Sequence, residues 1–348
     1  MRRRVKADTI ASVMPRRMVP LRSRRLGRAL RVALSIAALV GVGGCSSEPG
    51  APNATGPPFR GTLAVVEVGA GKLATIAVPG GHPGPVADSG LSPVAVAVAG
   101  GTAWVAASLS GALIPVDLRT GAAGTPIQVG GRPTALALFD SGHAALVVDS
   151  VDADVTAVDL AHHRVGRTVP LPGVPVAVAV AGGTAYTADR AGDRLYPLAL
   201  GDGHLGPPIA VGGAPSSIAV SPDGRRAWVT DSASSTVSVV DLAAGRTTST
   251  VAVGADPLGV AVSPDGTLVA VTEAAIASVA VIDASDDRAV ANVAVGEDPY
   301  GVAIDPDDVA WISDAGSGDV MAVDLRSRRV RAPIELGDVS PEAVALSR

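Results

Sequence analysis

Apolar and polar residues alternate through most of this chain in short runs, and Gly, Pro, Asp and Ser separate the runs. The stretch 215–256 shows the unit. Residues 217–220 alternate as a first strand, Ser221-Pro222-Asp223-Gly224 follows as a turn, and 227–231 form a second strand. Pro in the second place and Gly in the fourth suit a type I turn. Residues 236–242 read as a third strand, Ala243-Ala244-Gly245 as a turn, and 247–253 as a fourth strand. A side-chain period of two, interrupted by turn residues, predicts short antiparallel strands rather than helix.

The unit recurs. A proline opens a run of small apolar residues at Pro93, Pro133, Pro175, Pro215, Pro257 and Pro299, and Pro341 starts a truncated copy; successive spacings are 40, 42, 40, 42, 42 and 42 residues. A fixed period of this length predicts an all-β propeller of four-stranded blades. The 40-residue copies carry Ala-Gly-Gly-Thr at 99–102 and 181–184, where Gly-Gly permits a two-residue hairpin with positive φ at both positions. Residues 61–78 match third and fourth strands, and 342–346 match a first strand. Joined in one composite blade they would close a seven-bladed ring and hide its edges. Such a blade would lack a second strand, so six blades with strand extensions is the alternative. Composition agrees with many short strands and tight turns: 41 Gly, 27 Pro and only 2% aromatic residues.

At the end of the second strand the copies read Trp104-Val105-Ala106-Ala107, Leu146-Val147-Val148-Asp149, Tyr186-Thr187-Ala188-Asp189, Trp228-Val229-Thr230-Asp231, Ala270-Val271-Thr272-Glu273 and Trp311-Ile312-Ser313-Asp314. With the Pro-x-x-Val-Ala-Val-Ser-Pro-Asp-Gly run from Pro257 to Gly266 and the Val-Asp-Leu that ends the third strand, this resembles the YVTN-repeat family of bacterial β-propellers over about residues 61–348. The family's Asn is here Asp or Glu, and Ala107 departs altogether. The resemblance implies a seven-bladed or similar propeller outside the cytoplasm, in a family often without a known reaction.

The N-terminal region has another character. An Arg-rich segment ends at Arg31, and residues 32–42 form an apolar stretch too short to span a bilayer, the layout of a signal peptide. Val42-Gly43-Gly44-Cys45 then resembles the bacterial lipobox, in which the cysteine is lipidated and becomes the mature N-terminus. Cys45 is the only cysteine, so it forms no internal disulfide. Residues 46–58 have the Pro/Gly/Ser composition of a tether. The expected organisation is a lipoprotein signal at 1–44, lipidated Cys45 and linker at 45–60, and the propeller at 61–348. The expected location is the outer side of the cell membrane, reached through the lipid on Cys45. Translation from Met14 or Met18 and export by a twin-arginine route at Ser23-Arg24-Arg25 stay open.

Charge separates along the same line. Residues 1–44 contain ten Arg, one Lys and one Asp, which leaves 17 basic against 32 acidic residues in the remainder, a net of −15. Clustered phosphate contacts need Lys and Arg, so the body is no nucleic-acid binder.

The acidic series Asp149, Asp189, Asp231, Glu273 and Asp314 sits at one repeat position, on a ring expected to be too wide for the short bonds of a shared calcium ion. A structural role in turns is its expected use. Asp117, Asp159, Asp241, Asp283 and Asp324 precede the turn between third and fourth strands and read as turn formers. Trp104, Trp228, Trp311 and Tyr186 share one position and read as packing between blades. The histidines fall in turns (His143, His162, His163, His204) or in the Pro/Gly-rich stretch at His82, and no pair has metal-ligand spacing. No catalytic residue, cofactor or metal is assigned.

The loops that enter first strands and those that follow second strands should share one face. They carry Arg132, Asp256, Glu297, Asp298 and Tyr300 beside the five acids, and form the candidate binding face for a cationic or peptide partner. The leading expectation is a monomeric binding or scaffold module for a protein, peptide or small molecule. A lactonase-like or lyase-like enzyme and a passive envelope protein are the rival classes.

Overall fold

The computed structural model describes residues 58–347. The expected signal segment, Cys45 and most of the 45–60 linker lie outside the described residues. Seven antiparallel sheets surround a common axis, and all of the body is strand and turn apart from single 3₁₀ turns. Blades I to VI begin at Pro93, Pro133, Pro175, Pro215, Pro257 and Pro299. In blade IV the strands run Pro215–Val220, Arg226–Asp231, Thr236–Asp241 and Arg246–Ala252, hydrogen-bonded in that order from the axis outward. The Ser221 turn closes as expected, with Gly224 N donating to Ser221 O at 2.8 Å.

Blade VII joins distant parts of the chain, but not in the assignment expected from sequence. Pro341–Ser347 is the innermost strand, Gly61–Glu67 the second, Lys72–Val78 the third and His82–Asp88 the outermost. Residues 61–78 are therefore second and third strands, the second strand is present, and the ring has seven complete blades. Strand–turn–strand alternation is the same for either pair, so sequence does not separate them. His82–Asp88 (HPGPVAD) carries two prolines and is almost wholly exposed. An outermost strand is bonded on one side only, which is where proline is tolerated. The same device shortens other edges: Pro126 and Pro208 immediately precede the two-residue outer strands Ile127–Gln128 and Ile209–Ala210, and Pro333 lies where the outer strand of blade VI breaks into Arg329–Val330 and Ile334–Glu335. Short, interrupted edges give other chains little to pair with.

The expected Gly-Gly geometry holds at Gly100 and Gly101 (φ +54° and +78°), whereas in the second hairpin only Gly182 is in the left-handed region, at +56°. Packing between blades follows the repeat. Trp104 joins Leu136, Leu138 and Val147 of blade II, Tyr186 joins Ile218 and Val229 of blade IV, Trp228 joins Val260 and Val271 of blade V, and Trp311 joins Leu63 and Val65 of blade VII. Each ring thus packs toward the next blade and is itself buried.

The two faces differ. First-to-second and third-to-fourth strand turns lie on one, here the turn face; second-to-third turns and blade-to-blade crossings lie on the other, the loop face. Gly61 pairs with Val78 at the turn face, and Phe59 N donates to Asp307 Oδ2 (2.6 Å) in the first turn of blade VI. The segment leading from the linker thus enters on the turn face.

Candidate functional site

The carboxylates at the second-strand ends are in register with the proline of the first strand in every blade that has one: Asp149 with Pro133, Asp189 with Pro175, Asp231 with Pro215, Glu273 with Pro257 and Asp314 with Pro299. Glu67 pairs with Pro341 in the same way. It is a sixth member of the series, missed in sequence because 61–67 reads as a third strand. All six are buried.

Their hydrogen bonds state what most of them do. Asp149 accepts the backbone N–H groups of Arg132, Val151 and Asp152, and Asp189 those of Val174 and Ala191. Asp231 accepts the hydroxyls of Ser238 (2.7 Å) and Thr236 (3.3 Å), while Glu273 takes Gly254 N and the Ser278 hydroxyl. Each such carboxylate ties the crossing from the previous blade, or the third strand of its own, to its second strand. Blade I, which has Ala107, uses Ser110 instead: its Oγ accepts Leu91 N at 2.9 Å. Ser234 and Ser317 make the equivalent bonds to Gly213 N and Glu297 N. Burial pushes Asp231 up to about 6 in spite of its hydroxyl donors, and pushes Glu67 upward against the pull of Lys72. Buried N–H groups need acceptors, so Asp149→Ala is expected to cost about 2 kcal/mol in urea denaturation. Asp152→Ala, an exposed neighbour, should change stability by less than about 0.5 kcal/mol.

The remaining residues of the candidate face separate by exposure. Arg132, Asp256 and Glu297 are exposed, Asp298 is half-buried, and Tyr300 is buried in the innermost strand of blade VI. Asp256 and Asp298 have φ of +56° and +50°, a conformation Asp tolerates, and their carbonyls accept Ala274 N and Ala315 N. The innermost strands touch one another around the whole ring. Of their seven second residues, Val94, Thr134, Val176, Ser216, Tyr300 and Glu342 are buried and Leu258 is half-buried.

What the loop face exposes is apolar as well as acidic. Leu91 and Leu109 on blade I, Val151 on blade II and Ile276 on blade V are 50–66% exposed, with Val174 of blade III at 38%. Around them stand the exposed carboxylates of Asp152, Asp193, Asp256 and Glu297. Apolar residues at successive loop tips were not singled out in sequence, because in the repeat they look like ordinary turn positions.

The turn face carries the second acidic series as expected turn formers. Asp117 Oδ1 accepts Arg119 N and Thr120 N, Asp159 accepts His162 N, Asp241 Ala244 N, Asp283 Ser285 N and Asp324 Ser327 N. Hydrogen bonds from Thr120, His162 and Ser285 hold Asp117, Asp159 and Asp283 below the usual carboxylate range. His143 and His162 border an open concavity of about 510 Å³ on blade II with Asp140 and Asp159. His162 Nδ1 lies 2.9 Å from Asp159 Oδ2, with both side chains largely exposed. His82, in the Pro/Gly-rich stretch, opens the outer strand of blade VII. Among the described residues no three His, Cys, Asp or Glu side chains are grouped to hold a metal ion, and no helix is long and apolar enough to cross a membrane.

No protein-family model matches this chain, and no curated protein sequence matches it. Solved structures do match. A functionally unknown protein from Desulfotomaculum acetoxidans superposes with a TM-score of 0.74 at 15% identity, over 83% of this chain and 99% of that one. Kuenenia stuttgartiensis hydrazine synthase gives 0.66 at 19% identity over 73% and 89%, and a streptogramin B lyase 0.64 at 14% over 73% and 86%. At these identities the likeness is one of fold, and it runs across enzymes and a protein of unknown role alike.

Proposed function

We propose that this chain is a YVTN-type propeller lipoprotein, anchored through Cys45 on the outer side of a bacterial cell membrane, that binds a cationic, partly apolar protein segment on its loop face. One observation carries the reading: the linker side of the chain meets the ring on the turn face, at Phe59 and Asp307, while the exposed Leu91, Leu109, Val151, Val174 and Ile276 stand on the opposite face. Apolar residues that served to dip into the anchoring bilayer would sit on the tether side. On the far side they present a partner surface instead. The surrounding carboxylates select a positively charged partner and repel anionic lipid. Since the second-strand acids are mostly consumed by backbone and hydroxyl donors, the binding charge comes from the loop residues Asp152, Asp193, Asp256 and Glu297.

The test is site-specific photocrosslinking on intact cells. A crosslinker at Leu109 or Val151 is expected to give a discrete adduct that disappears when Asp152, Asp256 and Glu297 are changed to Lys. The same group at Ala244 on the turn face should give none. Equal adducts from both faces, or none from the loop face, would refute the assignment. In the same cells Cys45→Ser should move the protein from the membrane to the soluble fraction.

A further inference from the structure

The aromatic that seals most blade junctions is absent between blades II and III. Leu146 stands in blade II where Trp104, Tyr186, Trp228 and Trp311 stand in blades I, III, IV and VI; Ala64 and Ala270 are the other exceptions. Behind Leu146 lies a cleft of about 260 Å³. Phe139, Val155 and Val169 of blade II form one wall, and Leu198, Leu200 and the Gly201–Gly203 turn of blade III form the other. A dry cavity of roughly 150 Å³ is enough for benzene, so this cleft admits a ring or branched chain with a short extension.

A single cation overlooks it. Arg167, on the outer strand of blade II, lines the cleft, and a Cβ at Gly203 would come within 2.9 Å of its Nη1. Among the described residues Arg167 has no ion pair and donates no hydrogen bond. Two other guanidiniums at blade junctions are occupied: Arg226 stacks on Trp228 at 4.7 Å and pairs with Asp287, and Arg326 pairs with Asp308 and Asp265. A guanidinium is built to hold a carboxylate by two parallel N–H donations. From the unpartnered Arg167 above an apolar cleft that Leu146 leaves unfilled, we infer that the junction of blades II and III binds a compact apolar monocarboxylic acid. The apolar body fills the cleft and the carboxylate meets Arg167. The site lies toward the turn face, apart from the loop face, and stands whether or not that face has a partner.

Calorimetric titration of the full mature protein in detergent with 3-phenylpropionate and its neutral amide tests this. The acid is expected to bind about fivefold more tightly than the amide, a modest factor because Arg167 is exposed to solvent. Arg167→Gln should bring the acid down to the affinity of the amide and leave the amide unchanged. Leu146→Trp, which fills the cleft as Trp104 fills its own junction, should abolish binding of both. If Leu146→Trp does not fold, the loss of acid-over-amide preference in Arg167→Gln decides alone. Equal affinity of acid and amide for the native protein, full binding by a folded Leu146→Trp variant, or no heat at millimolar ligand overturns the inference. Tighter binding of dodecanoate than of 3-phenylpropionate would overturn its limit to compact acids.

Discussion

Val344→Asp is expected to abolish the cooperative unfolding transition of the whole ring. Val344 is fully buried, pairs with Val65 across the only junction at which a blade's first and second strands are not consecutive in sequence, and packs with Leu63 and Trp311. Its strand, Pro341–Ser347, touches the innermost strands of both blade VI and blade I. In the other six blades a tight hairpin ties the first strand to the second; in blade VII only side-chain packing and ladder hydrogen bonds hold it. An unpaired carboxylate at this point costs several kcal/mol, about 4 or more, against a total stability on the order of 5–15 kcal/mol. Once the strand leaves, the inner face of Gly61–Glu67 and the flanks of two neighbouring blades lose their cover. Hydrogen exchange should therefore collapse first across 61–88 and then in blades I and VI. Val330→Asp, on the exposed outer strand of blade VI, is the matched control and should shift the denaturant midpoint by less than about 0.5 kcal/mol. A Val344→Asp protein that still melts in one sharp transition near the native midpoint would show that closure by this strand is dispensable.

The ring was legible in the sequence because the features that specify it are local and repeat: prolines opening the inner strands, Gly-Gly and Pro-Asp-Gly turns, and one aromatic position per blade. Blade VII was legible as a composite but not in its strand assignment. Alternation in 61–78 fits any adjacent pair of strands, and the partner that decides, Pro341–Ser347, lies at the other end of the chain. The same shift hid Glu67. Much of the candidate face behaved as repeat positions do. Asp149 and Asp189 serve backbone amides, and Tyr300 is core. Illegible in principle were the apolar loop tips and the cleft beside Arg167. Both depend on which residues fail to find a partner in three dimensions, and a repeat pattern records only where partners are supplied.

Asp314, the carboxylate of the series with both oxygens buried and without a donor, makes a quantitative test of this division. In blade VI, Ser317 already accepts Glu297 N, and the residue opposite Asp314 in the third strand is Asp319, where blades IV and V have Thr236 and Ser278. Both oxygens of Asp314 and Oδ1 of Asp319 are buried without a hydrogen-bond partner, and Glu335 pairs with Asp319 from the outer strand. Burial first, and the adjacent Asp319 second, push Asp314 up to about 8; burial and Glu335 push Asp319 upward too. Two carboxylates so placed cannot both ionise cheaply, and the pair holds a proton at neutral pH. An Asp in the unfolded chain releases its proton near pH 4, so between about pH 4 and 8 the folded state binds a proton that the unfolded state has lost. Stability from this site is therefore full below pH 4 and is lost as pH rises toward 8. Asp314→Asn removes the titration and lets the amide donate to Asp319. The variant is expected to match the native protein near pH 5 and to exceed it by about 3 kcal/mol at pH 8, a figure below the full linkage value because the two acids share the effect. Urea denaturation at pH 5, 7 and 8 measures the difference. A gap between variant and native that stays constant with pH would mean that Asp314 is ionised in the folded protein and that some donor satisfies it.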